Sequence, residues 1–136
     1  MKKTTDDELI EAAENAFRRA YAPYSRFRVG AAIALDNNKI VTACNVENAS
    51  YGLTMCAERA AVFAAIAAGA SRIYRIAIAI DSADAMNSTL MPCGACLQVL
   101  SEFMPKDGDV LIARKGKFKL ADLLPHAFTI GHSPEV

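Results

Sequence analysis

The stretch from Thr54 to Ile80, TMCAERAAVFAAIAAGASRIYRIAIAI, carries the clearest signal of fold class. Thr54 is a good helix-capping residue type, and the alanine-rich segment after it predicts a helix over Met55–Ala68 that stops at Gly69. Arg72–Ile80 is almost continuously apolar, as expected for a strand in a sheet covered on both faces. A helix that leads directly into a buried strand predicts an α/β protein.

The segments on either side extend this pattern. A capping box at Thr5–Glu8 opens the first predicted helix, and Pro92 suits the first turn of the last one. Alternating strands and helices predict a single three-layer α/β/α domain over residues 1–136. In chain order, the other predicted elements are a helix from Thr5 to about Tyr21, a hairpin of Val29–Leu35 and Lys39–Ala43, a helix over Cys93–Met104 and a strand over Asp109–Ala113.

Composition limits the classes of partner. Fifteen basic and fifteen acidic residues cancel, so we expect no nucleic-acid partner and no membrane partner, and instead a small-molecule substrate. The N-terminus lacks the apolar core of a signal peptide, and no run approaches the roughly 18 apolar residues of a membrane span. Four cysteines, most of them at metal-ligand spacing, favour a reducing compartment, and the predicted location is cytoplasmic.

Three cysteines and one glutamate stand at spacings that indicate a metal centre. Cys56 precedes Glu58 by two residues, and Cys93 and Cys96 belong to a Pro-Cys-x-x-Cys segment. This arrangement is similar to the signature of zinc deaminases, in which one ligand precedes a glutamate by two residues and Pro-Cys-x-x-Cys follows. The pattern predicts a Zn²⁺ cofactor held by Cys56, Cys93 and Cys96.

A fourth protein ligand is hard to find. Cys44 lies in a predicted strand with no second ligand at suitable spacing, and His126 and His132 fall close to the C-terminus. Structural zinc sites normally take four protein ligands, so three thiolates leave a position for water, whose pKa zinc lowers from about 15.7 to about 7. A purely structural zinc site and a redox pair at Cys93 and Cys96 are the alternatives.

Glu58 is the predicted catalytic residue. A carboxylate held beside the metal can take a proton from water, give one to a ring nitrogen and give one to departing ammonia. Three thiolates place much negative charge on one ion, which the N-termini of the two predicted helices and the Arg59 guanidinium would compensate.

Several further segments resemble the small homotetrameric cytidine deaminases, collinearly over about residues 5–130. The resemblance implies a central mixed five-stranded sheet and a homotetramer whose active sites are shared between subunits. It also implies deamination of cytidine or deoxycytidine to uridine or deoxyuridine plus ammonia, a reaction of pyrimidine salvage. The segments are Tyr21–Ala32, Asn45–Thr54, Cys56–Arg59, Pro92–Gln98 and Leu123–Phe128.

The same resemblance implies the substrate-binding residues. A carboxylate and an amide can distinguish a nucleoside from a free base, because an analogue without the hydroxyl leaves buried polar groups unpaired. Aromatic stacking on a base is worth about 1–3 kcal/mol. The implied roles are ribose binding by Asn45 and Glu47, stacking by Phe27 and by Phe128 from a neighbouring subunit, and pocket lining by Tyr51 and Ala57.

Two positions depart from the family pattern. Leu97 stands where the family usually has arginine, and Met91 stands where a small or polar residue usually precedes the proline. Together with the apolar segment over residues 83–91, they favour an alternative, an aminohydrolase of a modified cytosine nucleoside such as blasticidin S. A second alternative is a non-catalytic, zinc-stabilised nucleoside-binding protein, against which Glu58 argues.

Overall fold

A computed structural model describes residues 2–81 and 90–131. In chain order the elements are α1 (Asp6–Phe17), β1 (Val29–Ala34), β2 (Ile40–Cys44), a 3-10 turn (Tyr51–Leu53), α2 (Ala57–Ala67), β3 (Arg75–Ile80), α3 (Gly94–Phe103), β4 (Asp109–Ile112), β5 (Gly116–Lys119) and α4 (Leu120–Leu123).

The strands form one mixed five-stranded sheet in the order β2-β1-β3-β4-β5. β3 and β4 are parallel and are connected through α3, whereas the other neighbouring pairs are antiparallel. Burial on both faces explains the apolar sequence of β3. The five-stranded mixed sheet confirms the predicted fold class.

Helices cover the two faces of this sheet. On β3, Ile76 and Ile78 pack in a cluster with residues of α2 and α3. Ala77 and Ala79, on the opposite face, pack in a cluster with residues of α1. The small side chains on the second face let α1 come close: a Cβ on Gly30 would lie 2.0 Å from the Ala13 carbonyl oxygen. The three-layer α/β/α arrangement is confirmed.

The first helix is shorter than predicted. It ends at Phe17 and not near Tyr21. The N–H of Tyr21 donates to the Asn45 carbonyl (3.0 Å), and its carbonyl accepts from the Glu47 N–H (2.8 Å). These extended-chain hydrogen bonds compete with helix continuation, which explains the early end.

The two helices that carry the cysteines begin later than predicted. α2 begins after Cys56 and α3 after Cys93, so each of these cysteines is an N-cap residue. Thr54 is therefore not the cap: its hydroxyl accepts from the Asn48 N–H at 3.2 Å. Pro92 precedes the cap and is not in the first turn.

The remaining strands follow the predictions with small differences. β3 begins at Arg75 and not at Arg72, and the short edge strand β5 over Gly116–Lys119 was not located by the sequence patterns. In the described parts of the chain, no helix combines the length and the apolar character that crossing a membrane requires.

Candidate functional site

The structure brings the three predicted zinc ligands together. The Sγ atoms of Cys56, Cys93 and Cys96 all lie within 4.8 Å of one another, and those of Cys93 and Cys96 are 3.6 Å apart. Tetrahedral zinc with bonds of about 2.3 Å separates two sulfur ligands by roughly 3.8 Å. The donor set and its spacing therefore fit zinc, while His126 is not part of this cluster.

The helix starts explain why these sulfurs meet. Cys56 and Cys93 are the N-cap residues of α2 and α3, and neither side chain caps the helix through a hydrogen bond. The first N–H groups of a helix carry partial positive charge, so both sulfurs lie where negative charge is stabilised. Cys96 is in the first turn of α3 and is fully buried.

Arg59 supplies further positive charge at the cluster. Its Nη2 donates to Cys56 Sγ at 3.3 Å. A hydrogen bond from Cys96, followed by the interaction with Arg59, lowers the pKa of Cys56 to about 5 against the opposing effect of burial. Arg59 Nε is buried and has no hydrogen-bond partner among the described residues. The predicted role of Arg59 as a partner of the thiolates therefore has a geometric basis.

Glu58 lies in the first turn of α2, two residues after the N-cap Cys56. Only 6% of the residue is exposed. Burial, together with the negative charge of Cys56, raises the pKa of Glu58 to about 7. A buried carboxyl beside a metal-binding cluster is a typical arrangement for an acid/base group.

A backbone bridge connects this cluster to the predicted ribose-binding segment. Val46 exchanges two hydrogen bonds with Met55, at 3.0 and 2.9 Å. Val46 stands between Asn45 and Glu47, and Met55 directly precedes Cys56. The two predicted halves of the site are therefore neighbours in the fold.

The side chains of Asn45 and Glu47 are buried and bind the protein itself. Asn45 Oδ1 accepts from the Val29 N–H (2.9 Å), and its Nδ2 donates to the Phe27 carbonyl (2.7 Å). The Glu47 carboxylate accepts from the N–H groups of Tyr24 and Ser25 at 2.9 and 3.1 Å and from the Ser25 hydroxyl. Ribose binding by Asn45 and Glu47 stays a prediction; their structural role, and the part of Ser25 in it, were missed.

Three other predicted pocket residues lie around this junction. Phe27 packs against the core cluster that contains Ala57 and Leu97. Ala57, the first residue of α2, is fully buried, whereas Tyr51 is 75% exposed and its ring meets that of Tyr24 edge-on at 5.8 Å. Their contacts with a substrate stay predictions.

Phe128 lies at the protein surface. Its residue is 71% exposed, and its carbonyl accepts from Gln98 Nε2 at 3.1 Å. With Ser101, Met104 and Ile130 it lines a groove of about 610 Å³ that includes none of the cysteines.

The chain is similar to a known protein family. The family described as the cytidine and deoxycytidylate deaminase zinc-binding region matches residues 3–112. The chain belongs to this family. The matched range contains Cys56, Glu58, Cys93 and Cys96, which form the geometric centre described above.

Individual family members are similar over most of their length. A cytidine deaminase of Mycobacterium tuberculosis is 46% identical over 90% of this chain and 88% of its own. One from Halalkalibacterium halodurans is 42% identical over 89% and 92%. The crystal structure of a Burkholderia pseudomallei cytidine deaminase matches with a TM-score of 0.80 and 43% identity over 91% and 99%. A blasticidin-S deaminase of Bacillus cereus is more distant, at 30% identity.

The two departures from the family pattern lie at the edge of the core. Leu97 is 7% exposed and belongs to the core cluster, and Met91 packs against that cluster. An apolar side chain at position 97 is therefore explained by packing in the core. Of the segment 83–91, residues 83–89 lie outside the described residues.

Proposed function

We propose that this chain is a zinc-dependent cytidine deaminase that converts cytidine and deoxycytidine to uridine and deoxyuridine. The observation that carries the proposal is the three-thiol cluster with Glu58 buried beside it. Curated family members 42% and 46% identical to the chain are cytidine deaminases, which supports the substrate class.

The proposed reaction needs one activated water and the relay of its two protons to the substrate. Cys56, Cys93 and Cys96 would hold a zinc ion, which would supply Lewis-acid activation of a water. Glu58 takes both protons of the water in turn, gives the first to N3 of the pyrimidine, and gives the second to the leaving amino group. A C–O bond forms at C4, the C4–N bond breaks, and water and cytidine become uridine and ammonia.

The other residues bind and orient the nucleoside. Asn45 and Glu47 bind the ribose, Phe27 and Phe128 stack on the base, and Ala57 and Tyr51 line the pocket. Arg59 and the two helix N-termini stabilise the thiolates. The zero formal net charge of the chain suits a neutral nucleoside better than a nucleic acid.

The test is an ultraviolet assay of cytidine and deoxycytidine with zinc-loaded protein, with ammonia measured in parallel. We expect turnover by the wild type and a decrease of about 100- to 10,000-fold in Glu58→Gln with zinc content unchanged. Glu11→Gln, on the exposed face of α1, is the matched control and should behave as the wild type. Near-normal turnover by zinc-loaded Glu58→Gln would contradict the mechanism.

Two alternatives make different predictions in this assay. An aminohydrolase of a modified cytosine, motivated by Leu97 and Met91, would turn over blasticidin S faster than cytidine. A zinc-stabilised binding protein would bind cytidine and release no ammonia. The higher identity of the chain to cytidine deaminases than to the blasticidin-S deaminase supports cytidine as substrate, and the buried Glu58 argues against a binding protein.

We also propose a homotetramer in the cytoplasm, with active sites shared between subunits. The Phe128 ring is exposed and lines a groove that includes none of the cysteines, so it is available to a neighbouring chain. Phe128 and Ile130, both more than 70% exposed, line the same groove, and a shared exposed apolar surface favours a protein interface. Three thiols available for metal binding suit a reducing compartment.

Mixing two impaired variants tests the shared site. Glu58→Gln and Phe128→Ala protein should recover activity when refolded together, because some mixed sites combine Glu58 of one subunit with Phe128 of another. Light scattering should give the mass of four chains. A monomeric mass, or mixtures no more active than the separate variants, would contradict the proposal.

A further inference from the structure

Glu47 is held in place by a short segment that sequence patterns did not assign to the site. Its Oε1 accepts from the N–H groups of Tyr24 and Ser25, at 2.9 and 3.1 Å, and its Oε2 accepts from the Ser25 hydroxyl. An ionised carboxylate offers about four acceptor sites. Three of them are used inside the protein, which leaves about one, in a defined direction, for a ligand hydroxyl.

The Ser25 hydroxyl also contacts the other half of the predicted pocket. Its Oγ accepts from the Phe27 N–H at 3.0 Å while it donates to Glu47. One side chain thus connects the predicted sugar-binding carboxylate to the backbone of the predicted base-stacking residue. The Phe27 backbone has a second tie, since its carbonyl accepts from Asn45 Nδ2 at 2.7 Å.

We propose that Ser25 is a positioning residue that sets the direction of the free acceptor site on Glu47 and so determines how strongly the enzyme selects for the sugar hydroxyls. This inference rests on the proposed function. Without the Ser25 hydroxyl, Glu47 keeps its two N–H partners on Oε1 but loses its partner on Oε2. The carboxylate group is then less firmly fixed in orientation. Phe27 keeps its bond to Asn45, so sugar selection is affected more than base stacking.

The experiment compares cytidine with 2′,3′-dideoxycytidine, which lacks both hydroxyls that Glu47 could accept from. A hydrogen bond to a charged group is worth roughly one to two orders of magnitude in an equilibrium. Because two N–H bonds remain, we expect the smaller effect. In Ser25→Ala, the KM for cytidine should rise about tenfold with little change in kcat. The ratio of kcat/KM for cytidine to that for dideoxycytidine should fall about tenfold.

Two further variants separate positioning from a general structural role. Ser25→Thr keeps the hydroxyl and should keep the ratio of the wild type. Ser71→Ala, at an exposed serine outside the site, should change neither KM nor the ratio. If Ser25→Ala does not fold, Ser25→Cys keeps the side-chain shape with a weaker donor, and the same decrease in the ratio is expected.

The outcomes distinguish this inference from the proposed function. If Ser25→Ala leaves the ratio of the two kcat/KM values unchanged, the inference is overturned. Turnover of cytidine by the wild type would still support the proposed function. A wild-type protein that does not deaminate cytidine would overturn both.

Discussion

The proposed metal end and the proposed sugar end of the site differ in how their polar groups are bonded. At the metal end, formed by Cys56, Glu58, Arg59, Cys93 and Cys96, both N-cap thiols make no capping hydrogen bond and Arg59 Nε has no partner among the described residues. At the sugar end, formed by Ser25, Asn45 and Glu47, the amide and the carboxylate are bound by backbone groups.

This difference separates two kinds of functional design. At the metal end, three sulfur atoms within 4.8 Å of one another lie beside the Arg59 guanidinium, and a bound cation would hold all three as thiolates. Buried polar groups with partners are stabilising, and at the sugar end they orient the few acceptor positions that remain. Substitutions at the metal end should therefore weaken zinc binding. Substitutions at the sugar end should lower stability or substrate selectivity.

The largest effect is expected from removal of one sulfur. Cys96→Ala should lose bound zinc and reduce turnover to background, because the two remaining thiolates bind the ion too weakly. Cys44→Ala is the matched control: Cys44 is outside the cluster, and burial raises its pKa so that it stays a thiol. Zinc analysis by atomic absorption and the ultraviolet assay check both variants. A Cys96→Ala protein with full zinc content would break the comparison.

A smaller effect is expected at the guanidinium. Arg59→Met should weaken zinc binding about 10- to 100-fold, the usual cost of losing a group that supports metal ligands. Competition with a chelator of known affinity measures it. Arg18→Met, at the exposed C-cap of α1, should leave zinc affinity unchanged. Equal affinities of Arg59→Met and the wild type would show that the helix N-termini alone compensate the thiolates.

At the sugar end the expected loss is one of stability. Asn45→Ala removes the partner of the Val29 N–H and of the Phe27 carbonyl, and should lower the free energy of unfolding by about 1–3 kcal/mol. Zinc affinity should not change. Urea unfolding at saturating zinc measures the effect, with Asn15→Ala on the exposed surface of α1 as control. Unchanged stability would contradict the proposed difference between the two ends.

The smallest effect is expected outside both ends, at Asp6. Burial would raise the pKa of Asp6, but Arg75 (2.9 Å) and Lys117 (3.3 Å) lower it overall. A lowered folded pKa stabilises the fold above the ordinary aspartate pKa of about 3.9, and this contribution is lost as the pH falls through the folded value. Asp6→Asn should therefore cost less than about 1 kcal/mol at pH 7 and nothing in strong acid.

Stability curves of the wild type and Asp6→Asn against pH check this prediction. The two curves should converge as the pH falls, and high salt should reduce their separation at pH 7. A constant separation at every pH would mean that the charge of Asp6 is not the cause.

The metal end could be predicted because its information is local in sequence. Cys56 and Glu58 share one helix start and Cys93 and Cys96 share another, and similarity to the zinc-deaminase signature joins the two halves. The error was in the caps: Thr54 has the better capping propensity, but its hydroxyl binds Asn48 and the cysteine takes the N-cap position. Propensity was overridden by a loop contact.

The sugar end could not be predicted because its contacts join distant residues. Ser25 and Glu47 are 22 positions apart, and no periodicity relates them. The edge strand β5 was not predicted because Lys117 and Lys119 make its sequence too polar for a strand pattern. In the fold, both lysines form ion pairs with Asp109, at 3.5 and 2.7 Å. Charged edges of this kind discourage pairing with other chains.

The central claim is that three thiolates of this chain hold a zinc ion with one position open to water. X-ray absorption at the zinc edge of the purified protein tests it most directly. We predict three sulfur ligands at about 2.3 Å and one light atom at about 2.0 Å. A fourth sulfur ligand, or a site that binds no zinc, would contradict the account.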